Sequence, residues 1–174
     1  ESNKGYDVNP KFSPDGKYLS WQSMERNGFE ADKNDVKILD LKSGITTNLT
    51  KAWDESVVGS VFWSQYSKNI YFTTAWKGTM QLFSLNPKTS KIQQVTKGDF
   101  DVSDIYAENS NSLLVSRTDM NHNADLFSVD LKNGAMKQLT EVNKETYAKI
   151  TPSKTELKMV KTTEQVASGD YTVE

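Results

Sequence analysis

Short runs of alternating apolar and polar positions cover most of the chain, and one such pattern occurs three times. The segments 37–50, 83–96 and 127–140 align without gaps. Each has a branched aliphatic residue in third place, Lys in sixth place, and an aliphatic residue followed by Thr at its end. The closing residues are Thr50, Thr96 and Thr140. A period of roughly 45 residues indicates a repeat architecture, so we expect three equivalent structural units.

Each unit contains four short β-rich runs separated by turn residues. In the first unit the pattern predicts strands near 8–12, 17–23, 36–41 and 45–49. Gly16 and Gly44 suit the tight turns between them, because Gly adopts positive φ without steric cost. Four strands per repeat of about 40–50 residues is typical of a β-propeller blade. The competing interpretation is a β-sandwich whose strands are spaced in this way by coincidence.

We therefore predict an all-β chain of three four-stranded blades, a partial propeller, with a short C-terminal linker segment. The propeller is expected to occupy 1–143, with blades at about 6–50, 51–96 and 97–140. Closed propellers typically have four to eight blades, so three cannot complete a ring. The two terminal blades are expected to expose edges and apolar faces, through which the chain is expected to self-associate.

Composition restricts the chemistry that this chain can perform. It has no Cys and one His, His122, which excludes thiolate zinc sites, disulfides and multi-His metal sites. Lys and Arg number 21 against 23 Asp and Glu, and this charge balance does not favour nucleic-acid binding. No apolar run approaches the roughly 18 residues of a membrane span. We expect no metal, no cofactor, no nucleic acid and no membrane span.

Two segments resemble a known family. The first, 9–19, reads NPKFSPDGKYL and is similar to the blade repeat of the TolB and prolyl oligopeptidase propellers. The second, 23–34, reads SMERNGFEADKN. It resembles a loop of bacterial dipeptidyl peptidases in the prolyl oligopeptidase family, in the dipeptidyl-peptidase V and acylaminoacyl-peptidase-like branch.

This resemblance implies a propeller that caps a serine-peptidase domain, filters peptide substrates and helps bind their amino terminus. It implies that 144–174 is a linker or the start of a missing α/β-hydrolase domain, and that the protein is periplasmic or exported in a bacterium. The alternative that stays open is a non-enzymatic scaffold propeller of the TolB type, which binds partner proteins.

The segment between the second and third strands of the first unit is the best candidate for a binding site. It is five or six residues longer than its counterparts, and a blade does not need this extra length. It carries Glu25, Arg26, Glu30 and Asp32. Carboxylates can hold the cationic amino terminus of a peptide through charge-assisted hydrogen bonds, and Arg can orient them. We predict that these four residues contribute to substrate binding.

The chain lacks the sequence features of a serine-peptidase active site. Its Gly residues form no Gly-x-Ser-x-Gly nucleophile elbow. His122 lies in the polar segment 118–123 and is expected to be a solvated loop residue. The aromatic residues, Phe12 and Trp63 among them, fall mostly on strand positions and are expected in the cores between blades. We expect the catalytic residues to lie outside this chain.

The purified chain is therefore expected to hydrolyse neither peptide nor ester substrates, because it carries neither a nucleophile elbow nor a His in the required order. Release of a chromogenic group from dipeptidyl esters measures this. Turnover that a serine-directed inhibitor abolishes would contradict the expectation.

Overall fold

The chain forms three four-stranded antiparallel sheets, as the repeat predicts. The computed structural model describes residues 4–158, 162–166 and 169–173. Blade 1 consists of β1 (Asp7–Phe12), β2 (Tyr18–Ser23), β3 (Asp35–Asp40) and β4 (Thr46–Asn48). Blade 2 consists of β5 (Val58–Trp63), β6 (Ile70–Trp76), β7 (Thr79–Leu85) and β8 (Ile92–Gln94). Blade 3 consists of β9 (Asp101–Asn109), β10 (Ser112–Asp119), β11 (His122–Asp130) and β12 (Met136–Gln138).

Within each sheet the strands follow chain order, and every neighbouring pair is antiparallel. The prediction of three propeller blades is confirmed, and the predicted strands of blade 1 agree with the observed ones to within two residues. Because the strands run alternately up and down, the links β2–β3, β6–β7 and β10–β11 lie at one end of the blades. The connectors between blades, 49–57 and 95–100, lie at that same end, which we call the loop edge.

The closing Thr of the repeat makes equivalent hydrogen bonds in each blade. The hydroxyl of Thr50 accepts from the backbone N–H of Val36 at 3.0 Å and donates to the Asp35 carboxylate at 2.6 Å. In blades 2 and 3 the closing Thr hydroxyl likewise accepts from a backbone N–H and donates to a side-chain oxygen, both on the third strand of its own blade. Their partners are Leu82 and Gln81 for Thr96, and Leu126 and Asp125 for Thr140. The closing Thr, which follows the fourth strand, is therefore fastened to the third strand of its blade.

Blades bury apolar side chains only against one another. Between blades 1 and 2 the core contains Val36 and Ile38 from one sheet and Phe72 and Phe83 from the next. Trp53, in the connector, packs its ring against both Phe rings at 5.3 and 5.4 Å. A second core joins blades 2 and 3, with these buried members: Tyr71, Leu82, Val102, Leu113, Val115, Phe127 and Val129. Trp63, which is expected from sequence in a core between blades, is buried in the first of these layers.

Among the described residues, no further sheet packs on the outer faces of blades 1 and 3. In blade 3 Leu139 is 51% exposed, whereas its counterpart in blade 1, Leu49, is 3% exposed against blade 2. At the other end Phe12 is 67% exposed, so its assignment to a core was wrong for this chain. Phe12 pairs with Leu19 on the face of blade 1 that no other blade covers. Self-association through these faces stays a prediction.

After blade 3 the chain returns along the loop edge. A short helix, α1 (Lys144–Tyr147), places the Tyr147 hydroxyl 2.6 Å from the backbone N–H of Asn123, which donates to it. Further on, the Ser153 carbonyl accepts a hydrogen bond from the Asn121 side chain at 3.0 Å. β13 (Thr162–Val166) and β14 (Gly169–Val173) pair as a separate hairpin. Residues 156–158 are irregular, and 159–161 lie outside the described residues.

Replacing Thr50 by Val should lower the free energy of unfolding by about 1–3 kcal/mol, because the N–H of Val36 and the Asp35 carboxylate each lose a partner. Urea denaturation measures the change. Thr47→Val is the control, since Thr47 is exposed on β4. Equal losses for the two variants would show that the shared hydrogen bonds do not stabilise the blade.

Candidate substrate-binding groove

The loop from Met24 to Asn34 connects β2 to β3, and it lies where the sequence predicts extra residues. The matching links in blades 2 and 3 are the two-residue hairpins 77–78 and 120–121. A link of two residues is enough for the blade fold, so the length of the first one is not required by the sheet. This loop contains all four residues that the sequence suggests for substrate binding.

Asp32 organises the loop from inside. Its carboxylate accepts hydrogen bonds from the backbone N–H groups of Glu25 and Arg26, at 3.2 and 2.8 Å, and from that of Lys33 at 3.1 Å. The Arg26 guanidinium forms an ion pair with it at 2.8 Å. Gly28 permits the turn between them, since its φ is +69°. Asp32 is thus engaged within the loop.

The Arg26 side chain covers the outside of the same turn. Its guanidinium lies 4.0 Å from the centre of the Phe29 ring, within the range of a cation–π contact. The hydrogen bonds from the Arg26 side chain and backbone hold the pKa of the Asp32 carboxyl well below its usual range, and Asp32 raises the pKa of Arg26 in turn. Both groups therefore stay charged at neutral pH and fix each other.

Lys33 and Asn34 fasten the loop to the connector between blades 1 and 2. The Lys33 ammonium donates to the carbonyls of Thr50 and Trp53, at 3.1 and 2.7 Å, and forms an ion pair with Asp35 at 2.9 Å. The backbone N–H of Asn34 donates to the Ser56 hydroxyl at 3.0 Å. The loop and the connector are therefore held side by side, as two facing walls.

A groove of about 600 Å³ lies between these walls at the loop edge. Besides Asp32, which is paired with Arg26, three carboxylates line it, one from the loop (Glu30) and two from the connector (Asp54 and Glu55). Within the described part of the chain their side chains make no ion pair or hydrogen bond. Lys33 also lines the groove, but its charge is offset by Asp35. The groove therefore carries a net negative charge that is available to a cation.

The structure separates Glu25 from Glu30. Glu25 is exposed and lines a different depression, which it shares with four lysines: Lys4, Lys33, Lys37 and Lys51. Of the four residues proposed from sequence, Glu30 and Asp32 line the groove. Arg26 contacts Asp32 and so helps to hold the loop, and Glu25 lines the other depression. Asp54 and Glu55 were missed. They could have been found from the up-and-down strand order, because this order places the connector that carries them beside the loop.

His122 is the first residue of β11, which corrects its assignment to a loop. Its ring is half exposed, lies 2.8 Å from the Asp119 carboxylate through Nδ1, and meets the Tyr147 ring edge to face.

Among residues 4–158 and the two C-terminal strands, no cluster of three or more His, Asp or Glu side chains is placed to hold a metal ion. In that same part of the chain no helix is long and apolar enough to cross a membrane.

Comparison with known proteins decides the family. The family model described as the dipeptidyl peptidase IV (DPP IV) N-terminal region matches residues 1–168. This chain belongs to that family. It is 37% identical over 164 residues to dipeptidyl-peptidase 5 of Porphyromonas gingivalis, covering 94% of this chain and 24% of the relative. It is 36% identical over 163 residues to dipeptidyl-peptidase 5 of Porphyromonas endodontalis, covering 94% and 23%. The chain thus spans about a quarter of the length of these relatives.

Solved structures agree on the fold. The acylaminoacyl peptidase of Pyrococcus horikoshii superposes with a TM-score of 0.69 at 16% identity, over 98% of this chain and 24% of that one. The β-propeller domain of the trilobed protease from Pyrococcus furiosus superposes with a TM-score of 0.62 at 21% identity, over 86% and 42%. These two likenesses support the propeller fold of this chain.

Asp32→Asn should loosen the loop, because the carboxylate that gathers three backbone N–H groups and Arg26 is lost. We expect amide hydrogen exchange at Glu25, Arg26 and Lys33 to become roughly tenfold faster, with β2 and β3 unchanged. Hydrogen exchange read by NMR measures this. Asp99→Asn is the matched control, since Asp99 is an exposed connector residue.

The same interaction sets a pH dependence. The pKa of Asp32 is lowered from 3.8, so its contribution to loop stability is complete above about pH 4 and is lost as the pH falls through the lower, folded-state value. The contrary result would be hydrogen-exchange protection of the loop that changes neither in Asp32→Asn nor on acidification below pH 4. It would show that this ion pair does not hold the loop.

Proposed function

We propose that this chain is part of the propeller of a serine dipeptidyl peptidase, an exopeptidase, in which it limits access of peptides and helps bind the substrate's amino terminus. Its family membership and its similarity to two bacterial proteins named dipeptidyl-peptidase 5 support this assignment. The residues that cleave the peptide would lie in an α/β-hydrolase domain outside this chain.

The observation that carries the proposal is the acidic groove at the loop edge. A dipeptidyl peptidase must hold a free amino terminus, which is cationic at neutral pH. Glu30, Asp54 and Glu55 offer carboxylates that have no partner among the described residues, and a charge-assisted hydrogen bond is stronger than a neutral one. Lys33 and Asn34 hold the two walls in place before a ligand arrives, so little ordering is needed on binding.

The course of the C-terminal segment supports a role in gating. The segment crosses the loop edge of blade 3 at Asn121 and reaches blade 2, where the Leu157 side chain lies beside Gly78. A domain joined through 144–174 would begin on the same side as the groove. Peptides would then approach the catalytic residues past the loop edge.

We also propose a periplasmic or exported location, which rests on the likeness to bacterial dipeptidyl peptidases.

A scaffold propeller of the TolB type is the alternative. TolB from Acinetobacter baumannii superposes with a TM-score of 0.59 at 19% identity, over 79% of this chain and 33% of that one, and a likeness at this level concerns the fold alone. A scaffold has no need of the 24–34 loop, and the curated relatives at 37% and 36% identity favour the peptidase.

In the full-length protein Glu30→Gln should reduce kcat/KM for peptides with a free amino terminus by about tenfold to a hundredfold. A hydrogen bond to a charged group contributes about 1.5–3 kcal/mol, which corresponds to that range. Amino-terminally blocked peptides of the same sequence should change little, because they carry no cation. Asp54→Asn and Glu55→Gln should act in the same direction. The ratio of kcat/KM for free and blocked substrates is the measurement.

Glu25→Gln is the comparison variant, because it makes the same chemical change in the same loop but at the lysine-lined depression. We expect it to leave the ratio nearly unchanged. If none of the three groove variants alters the ratio, or if Glu25→Gln alters it equally, the groove is not the site that holds the amino terminus.

A further inference from the structure

Two Asn-Gly pairs occur in the sequence, one at 27–28 in the long loop and one at 133–134 in the turn before β12. Such a pair is prone to deamidation, because Gly has no Cβ and its backbone nitrogen can approach the Asn side-chain carbonyl. Both asparagines are exposed, and the glycines have nearly the same φ, +69° at Gly28 and +72° at Gly134. Dipeptide sequence, exposure of the Asn and conformation of the Gly therefore do not distinguish the two pairs.

Hydrogen bonding does distinguish them. At the second pair the N–H of Gly134 donates to the Asp130 carbonyl at 2.8 Å, and the side-chain oxygen of Asn133 accepts from the N–H of Ala135 at 2.8 Å. A backbone nitrogen whose N–H is held by a carbonyl cannot turn toward the Asn side chain until that bond breaks. The turn at 133–134 therefore restrains both of the groups that would react.

The pair at 27–28 has neither restraint. Within the part of the chain that the structure describes, the N–H of Gly28 donates to no acceptor and the Asn27 side chain makes no hydrogen bond. A Cβ atom added at Gly28 would meet no other atom within 4 Å, whereas Gly134 lies against the Val95 carbonyl. The first pair thus has unrestrained reacting groups and open space around them.

The Asp-Gly pair at 15–16, which can form the same cyclic imide, is also restrained. The N–H of Gly16 donates to the Ser13 carbonyl at 2.9 Å, and the Ser13 hydroxyl donates to the Asp15 carboxylate at 2.7 Å. That side-chain hydrogen bond lowers the pKa of the Asp15 carboxyl to about 2, and an ionised carboxylate is a poor electrophile. Of these three pairs, the one in the long loop is the one without hydrogen bonds to other described residues.

We propose that Asn27 is a site of spontaneous deamidation in the folded protein, and that the turn at 133–134 protects Asn133 from the same reaction. The Gly28 nitrogen forms a bond to Cγ of Asn27, and the bond from Cγ to Nδ2 breaks. The side-chain nitrogen leaves as ammonia, together with the proton of the Gly28 N–H. Water then opens the cyclic imide, at Cγ to give aspartate or at the main-chain carbonyl to give isoaspartate.

Either product changes the loop that forms one wall of the groove. An aspartate in place of Asn27 adds a carboxylate next to Arg26, whose guanidinium is paired with Asp32. An isoaspartate adds one atom to the main chain, directly after the Arg26 N–H that donates to Asp32 at 2.8 Å. The modification therefore acts on the interaction that keeps the loop compact.

The test is incubation of the full-length protein at neutral and at mildly alkaline pH, followed by digestion with a lysine-specific protease. This digestion releases 18–33 and 133–137 as separate peptides. Mass spectrometry measures the fraction of each peptide in which the Asn amide has become an acid, and fragment ions locate the change. In the folded protein, conversion at Asn27 should be roughly tenfold or more faster than at Asn133, where two hydrogen bonds must open first.

The same incubation in urea supplies the reference, because unfolding removes the restraint. Both asparagines should then convert at comparable rates. Equal rates in the folded protein would overturn the proposal. A difference that persists unchanged in urea would also overturn it, since neighbouring residues and not the fold would then be its cause.

Variants test the protection directly. Asp130→Ala removes the carboxylate that accepts from the N–H groups of Lys132 and Asn133 at 2.8 and 3.1 Å, and it should accelerate conversion at Asn133. Asp40→Ala is the matched control, because it makes the same change in the equivalent turn of blade 1 and should leave Asn133 slow. An Asn133 that stays as slow in Asp130→Ala as in Asp40→Ala would show that this turn does not protect it.

Discussion

Burial between neighbouring sheets is the constraint on which the whole structure depends. A four-stranded blade has two faces, and each can leave water only against another blade. Phe72 and Phe83 on one face of blade 2 are buried against blade 1, and Tyr71 and Leu82 on its other face are buried against blade 3. Blades 1 and 3 each keep one face uncovered, because no other sheet among the described residues packs on it.

The same arrangement creates the groove. Consecutive up-and-down sheets bring every link between the second and third strands, and every connector between blades, to one edge. A long link in blade 1 must then lie beside the connector that leads into blade 2. Lys33 and Asn34 join the two, and the Arg26–Asp32 pair keeps the loop compact. The site thus follows from strand order together with one insertion.

Much of the fold could be predicted from the sequence, because the repeat carries it. The closing threonines recur at equivalent positions, and their identical hydrogen bonds explain why that residue is kept. The place of the candidate binding loop could also be predicted, from its length. The different roles of its residues could not be predicted. The sequence pattern does not show that the Asp32 carboxylate is hydrogen-bonded within the loop, whereas Glu30 lines a groove. Asp54 and Glu55 belong to another part of the chain, and only the packing of blades brings them to Glu30.

Phe12 and Asn34 mark the limits of reasoning from sequence in two further ways. Phe12 has the pattern of a core residue, but it is 67% exposed, because no other blade of the described residues covers it. Asn34 resembles any polar loop residue until its burial and its unused oxygen are seen. In both cases the decisive information is what surrounds the side chain, which residue type and spacing do not specify.

The most direct measurement is a crystal structure of the full-length protein with an uncleaved dipeptide ligand that has a free amino terminus. The account predicts that the ammonium nitrogen lies in the groove between 24–34 and 54–59, within hydrogen-bond distance of the Glu30 carboxylate. An amino terminus bound elsewhere, with this groove open to solvent or filled by another part of the protein, would contradict it.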